Sequence, residues 1–151
     1  MIEVCRQKSR AYIFSNSIPP MLVAASSKVL DILSKTTERR DKLEENTKYF
    51  RAKIAGIGFD IKHGIHPIVP VMFYNAKLAN DFAHDMYHEG IYVIGFGFPV
   101  VPKGEARIRV QLSALHEREH LDLALNAFAK LGRKYNILGK SRDEIIAMYG
   151  L

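Results

Sequence analysis

Residues 106–114, Ala-Arg-Ile-Arg-Val-Gln-Leu-Ser-Ala, decide how the rest of the chain is read. Arg107, Arg109, Gln111 and Ser113 alternate with Ile108, Val110, Leu112 and Ala114. A period of two marks a strand with one polar and one apolar face. Before it runs a Gly/Pro loop, Gly95 to Gly104, with the sequence Gly-Phe-Gly-Phe-Pro-Val-Val-Pro-Lys-Gly. After it, Glu117 to Tyr135 sets Leu121, Leu125, Phe128 and Leu131 at helical spacing. Ser141 then opens a Ser-Arg-Asp-Glu capping box, which predicts a last short helix.

Toward the N-terminus, Ile91 to Ile94 reads as a short strand, and Asn75 as the N-cap of a helix over Ala76 to Glu89. That helix would turn Leu78, Ala79, Phe82 and Met86 inward and stop at Gly90. Pro67 to Phe73 is a short apolar strand, in which Pro70, lacking an N–H, argues for an edge or a strand end. A helix from Thr37 to Ile57 carries Leu43, Tyr49, Phe50 and Ile54 among many charges, so it is expected on the surface, ended by Gly56 and Gly58. Ser17, Pro19 and Pro20 start a further helix, Met21 to Leu33, with a broad apolar face. Residues 1–18 read as a lead-in of mixed charge. The sum is two helices, then β-α-β-loop-β-α-α: an α+β domain with a small, mainly antiparallel sheet.

Composition narrows the function. A chain of 151 residues with 48% hydrophobic and 25% charged residues is an ordinary globule, which excludes disordered and collagen-like classes. The single cysteine, Cys5, excludes a disulfide framework and a cysteine-based zinc site. The longest uncharged stretch, Ala11 to Ser27, has 17 residues and contains two prolines, whereas a membrane span needs about 20. Charges spaced through Met1 to Arg10 leave no apolar core for a signal peptide, so the cytoplasm is the expected compartment. The net charge of +6 is spread along the chain rather than gathered, and no composite nucleic-acid motif is present. Neither a membrane nor a nucleic acid is an expected partner.

Three constellations carry chemistry. His116-Glu117-Arg118-Glu119-His120 matches H-E-x-x-H, the helix motif of zinc hydrolases, with two metal-binding imidazoles and a water-activating glutamate. Its place directly after a strand, with charged residues at both inner positions, fits instead a polar first turn whose acids suit the helix dipole. His84 and His88 also share a helix face, but without an acidic third ligand they read as solvated. Gly56-Ile-Gly58 and Gly95-Phe-Gly97 lack the continuation of a nucleotide-binding loop, and read as a helix stop and a tight turn. Finally, Arg107 and Arg109 point to one side of their strand. An arginine on a rigid strand beside a Gly/Pro loop is a fork suited to a carboxylate. By pattern alone, a solvated strand face explains the same two residues.

The run Phe96 to Ser113, with Ala114 and His116 after it, resembles the C-terminal signature of the α-oxoamine synthases. Ser9-Arg-Ala-Tyr-Ile-Phe-Ser-Asn-Ser-Ile-Pro-Pro and Gly90-Ile-Tyr-Val-Ile-Gly resemble the same family in the same order. The resemblance covers residues 2 to 138. It implies a fold-type-I, pyridoxal 5'-phosphate-dependent transferase, from the branch that joins glycine to acetyl-CoA. On that reading residues 1–35 are the end of a large domain and a bridging helix, 36–138 a C-terminal small domain, and 139–151 a helical tail without an assigned role. Arg109 takes the position of the family's carboxylate-binding arginine. Ser15 and Asn16 take the position of the segment that reaches the cofactor phosphate of a neighbouring subunit. Arg107, two residues along, is expected nearer the rim.

None of the lysines stands in the family's context for the Schiff-base lysine, so the chain is expected to be inactive alone and to hold no cofactor covalently. Amino-acid and acyl-CoA substrates, with a homo-oligomer or a large-domain polypeptide as protein partner, are the implied partners. Ala11 stands where the family has proline, and Gly97 where an aromatic residue is commoner. A remnant or regulatory module without catalysis, and a zinc hydrolase using His116, Glu117 and His120, are the alternatives.

Overall fold

The computed structural model describes residues 1–150, which form two compact units: Met1–Thr37, and a second that begins at Glu38. In the first, the expected lead-in is helical, with α1 (Ile2–Lys8) and α2 (Arg10–Ile13). Glu3 in the first turn of α1, and Arg6 and Lys8 in its last, match the helix dipole; charges in a lead-in thus mark a helix. α3 (Pro20–Lys35) starts on its proline, as expected, and extends two residues past Leu33. None of its residues is buried, and Met21 and Leu30 are 76% and 67% exposed.

The second unit runs α4 (Glu38–Ile57), β1 (Ile68–Tyr74), α5 (Ala76–His88), β2 (Gly95–Phe96), β3 (Ala106–Gln111), α6 (Arg118–Lys134) and α7 (Arg142–Tyr149). The strands form one sheet in the order β1-β3-β2, with β3 antiparallel to both neighbours. This is the α+β architecture with a small antiparallel sheet that the patterning predicts.

Its core is aromatic. Phe73 of β1 lies 4.7 Å from Phe82 of α5, centroid to centroid, and Phe82 lies 5.6 Å from Phe128 of α6. Phe59, after α4, packs against all three, and Phe50 of α4 lies edge-on to Phe128. Burying one such side chain is worth roughly 1.5–3 kcal/mol. The surface role expected of α4 therefore holds for one side only: Phe50 and Ile54 are fully buried, and Asn46 and Thr47 nearly so. The many charges of that helix mask a narrow buried stripe.

The caps follow the sequence closely. The Asn75 side chain accepts from Leu78 N at 2.7 Å and starts α5. Ser141 and Glu144 form the expected capping box of α7. That last helix is anchored, since Ile145 is buried and Asn75 Nδ2 donates to the carbonyls of Tyr149 and Gly150.

Pro70 sits on the outer strand β1, opposite Arg109. Its carbonyl accepts from Lys62 N, and Met72 N donates to Asp60 O, so residues 60–62 line that edge. The missing N–H of Pro70 faces this outer side and takes nothing from the ladder with β3.

Two expectations change. The strand read at Ile91–Ile94 is irregular, and pairing occurs instead at Gly95–Phe96, within the expected loop. The cause is tertiary. A Cβ on Gly95 would lie 2.9 Å from the Ala79 backbone, and one on Gly97 would lie 2.7 Å from Ala76 Cβ. These glycines permit close approach to α5 rather than a tight turn. Likewise Gly56 lies inside α4, and Gly58, at φ +108°, is where the helix ends.

The two glycine settings predict opposite signs. Gly95→Ala should lower stability by about 1–3 kcal/mol through overpacking against α5. Gly56→Ala, with nothing within 4 Å of the added Cβ, should raise it by roughly 0.5–1 kcal/mol. Thermal unfolding of both variants checks the pair.

Candidate functional site

β3 presents its arginines as expected from the alternation: Ala106, Ile108 and Val110 are buried, while Arg109 and Gln111 are exposed. Arg107 is the more enclosed arginine rather than the one at the rim. Its side chain is 14% exposed, 3.5 Å from Glu105, and its Nε is buried without a hydrogen-bond partner. Glu105 also pairs with Lys62 at 2.9 Å, and this hydrogen bond holds its carboxyl below the usual carboxylate range.

Arg109 is placed differently. Its guanidinium carbon lies 4.4 Å from the centroid of the Phe96 ring, and it pairs with no carboxylate among the described residues. Stacking of this kind is worth about 0.5–1 kcal/mol at an exposed site. It occupies the face of the guanidinium and leaves its N–H edge, where the donors lie, for a ligand. β2, short as it is, thus has a role: it delivers Phe96 beside Arg109.

A cleft of about 690 Å³ opens beside Arg109, between β3 and the irregular segment before β2. Its walls are mostly apolar, with Ile91, Phe96 and Leu121 among them, and His116 and His120 add polar groups. Both imidazoles are fixed. His116 Nδ1 accepts from Ser113 N at 3.2 Å, and His120 Nδ1 accepts from Glu117 N at 3.0 Å. A ring nitrogen that accepts carries no proton, so the proton of each ring is on Nε2. The turn beneath them is pinned by Asn46, whose Nδ2 donates to His116 O at 2.8 Å and to Ser113 O at 3.3 Å. Asn46 went unnoticed in the sequence; the available signal was one amide three and four residues from Leu43 and Phe50, on the apolar stripe of a charged helix.

The same bonds give the H-E-x-x-H residues another task. A zinc ligand binding through Nε2 needs its lone pair there and usually donates from Nδ1, the reverse of what these rings do. Glu117 caps α6 in a reciprocal box with His120, and its carboxylate takes Lys42 Nζ at 2.6 Å. That hydrogen bond lowers the Glu117 pKa. Because the folded-state value is depressed, its small stabilising contribution is present above the ordinary carboxylate range and is lost as pH falls through it. Arg118 stacks 3.7 Å over Tyr49, whose hydroxyl donates to Asp122 at 2.5 Å.

Ser15 and Asn16 belong to the other unit, in the link between α2 and α3. Both are exposed; Asn16 has φ +52°, and Ser15 Oγ accepts from Ser17 N at 3.4 Å.

Comparison with known proteins places the chain in a family. The model of the aminotransferase class I and II family matches residues 1–128, and the chain belongs to that family. Within it the relatives are α-oxoamine synthases. The chain is 45% identical over 138 residues to the mouse mitochondrial 2-amino-3-ketobutyrate coenzyme A ligase, covering 91% of this chain and 33% of that protein. It is 42% identical over 138 residues to the 8-amino-7-oxononanoate synthase of Fervidobacterium nodosum, again covering 91% of this chain and 35% of the relative. A solved serine palmitoyltransferase of S. paucimobilis, bound to a pyridoxal-phosphate adduct of myriocin, aligns over 90% of this chain and 35% of its own, with a TM-score of 0.78 at 26% identity. The chain therefore spans about a third of the length of the relatives it matches.

His120→Ala should lower stability by about 0.5–1 kcal/mol through loss of the reciprocal cap. Metal analysis of the wild type and of His116→Ala should give the same zinc content. Stoichiometric zinc lost in the variant would restore the hydrolase reading.

Proposed function

We propose that this chain is the C-terminal part of a pyridoxal-phosphate-dependent acyltransferase that condenses glycine with acetyl-CoA, and that its own contribution is to bind the amino-acid carboxylate. The observation carrying this reading is Arg109: exposed, stacked on Phe96, and without an acidic partner at the side of an apolar cleft. A carboxylate supplies the missing charge through a bidentate pair, and a rigid strand fixes where the rest of the amino acid lies. Arg107, already shared with Glu105, keeps the strand's polar face in place.

Ser15 and Asn16 suit a phosphate. A hydroxyl, an amide and nearby backbone N–H groups are anion donors, and none of the three requires a compensating charge. They are the residues of this chain that would hold the cofactor's phosphate. The cofactor, when bound, serves as an electron sink for the amino acid's α-carbon. The proposed division is residues 1–35 as the end of a large domain and a bridging helix, 36–138 as the small domain, and 139–151 as a tail. The open apolar side of α3 supports association with a second copy or with a large-domain polypeptide. No helix is long and apolar enough to cross a membrane among the described residues. The cytoplasm is the proposed compartment, although the mouse relative carries a mitochondrial name.

In the assembled enzyme, Arg109→Lys should raise KM for the amino acid and lower kcat/KM by about ten- to a hundredfold, because lysine cannot reproduce the fork. Arg107→Lys should cost less. Binding of glycine by calorimetry gives a readout independent of turnover. The reverse ranking of the two variants would place the carboxylate elsewhere. The chain by itself should show no lysine-linked cofactor absorbance after dialysis, and a band that resists dialysis would overturn the proposed division of labour.

A further inference from the structure

The sequence reads His84 and His88 as solvated, and both are exposed on α5. Their rings nevertheless converge. The two Nε2 atoms lie 3.1 Å apart, and the rings are nearly perpendicular at 84° with centroids 4.7 Å apart. At this distance the two rings share a hydrogen bond, one Nε2 donating and the other accepting. Among the described residues neither Nδ1 has a protein partner, so moving that proton to the donor ring's Nδ1, toward water, frees both Nε2 lone pairs for an ion. His116 and His120 have the same i, i+4 spacing, but both of their Nδ1 atoms accept backbone N–H groups. His66 Nδ1 likewise accepts from Ile68 N. Among the described histidines, only His84 and His88 combine converging Nε2 atoms with uncommitted Nδ1 atoms.

The spacing suits a shared ion. With metal–nitrogen distances of ~2.05 Å, a 3.1 Å separation corresponds to an angle of ~98° at the metal. That lies between the tetrahedral and square-planar values, and both partners ride on the same rigid helix. We propose that His84 and His88 form a bidentate surface site for a borderline divalent transition cation, with water completing the coordination. Two imidazoles select copper(II), nickel(II) or zinc(II) over magnesium or calcium, which prefer oxygen. Asp85, next along the helix, does not supply a third ligand: its carboxylate is held by Lys134 at 2.6 Å and by the Tyr135 hydroxyl at 2.8 Å. No group of three metal-ligating side chains occurs among the described residues. The site is therefore open and exchangeable, and it stands apart from the Arg109 cleft.

Calorimetric titration of the untagged full chain with nickel(II), repeated with zinc(II), tests this. One ion per chain is expected, with no heat from magnesium(II). His84→Asn and His88→Asn, both at exposed positions, should each weaken binding by about a hundredfold, as expected when one of two linked contacts is lost. NMR of the wild type should place the zinc-induced imidazole shifts on His84 and His88. Absence of nickel binding, or binding that survives the double His84→Asn, His88→Asn variant and moves with His116 instead, would overturn the proposal.

Discussion

The ring stack of Phe73, Phe82 and Phe128 is the contact on which the second unit depends. β1, α5 and α6 each contribute one ring, and Phe59 touches all three. A three-stranded sheet has little hydrophobic area of its own, and strands this short are marginal unless a helix covers them. The stack provides that cover and sets the distance between α5 and the sheet. Gly95 and Gly97 are consequences of that distance, because β2 must pass against α5 where no Cβ fits. The position of Phe96, and with it the stacking of Arg109, follows from the same packing.

Around Arg109, neighbours take up most of the charged and polar groups. Glu105 shields Arg107, Lys42 neutralises Glu117, and backbone N–H groups occupy the Nδ1 atoms of His116 and His120. Arg109 alone of the β3 arginines keeps its charge uncompensated. The buried amide of Asn46 links α4 to the turn after β3, so the helix read as surface also sets the height of His116 at the cleft.

Much of this was legible in the residues themselves. Asn75, Ser141 and Pro20 mark helix starts that the structure reproduces, because caps are local chemistry. The alternation over residues 106–111 gave the strand and its exposed face directly. Pairing at Gly95–Phe96 was not legible, since Ile91-Tyr-Val-Ile has the stronger strand composition and only contact with α5 decides against it. Nor was the cap at Glu117 readable, because its partner at N3 is a histidine where the usual box has glutamate or glutamine. The convergence of His84 and His88 depends on side-chain rotamers, which spacing alone does not fix.

Pro70 has a further consequence for how the molecule meets copies of itself. A sheet edge with free N–H and C=O groups is a template on which another chain can polymerise. Along β1 that template is already spent: the segment at residues 60–62 occupies the carbonyl of Pro70 and the N–H of Met72, and Pro70 itself brings no N–H to this edge. The opposite edge is two residues long and pressed onto α5. Fibril-like growth through the sheet is thus blocked on both sides, even though α3 leaves a broad apolar surface open. That surface offers apolar side chains and no unpaired backbone, so it lacks the repeating template that extended strand pairing requires.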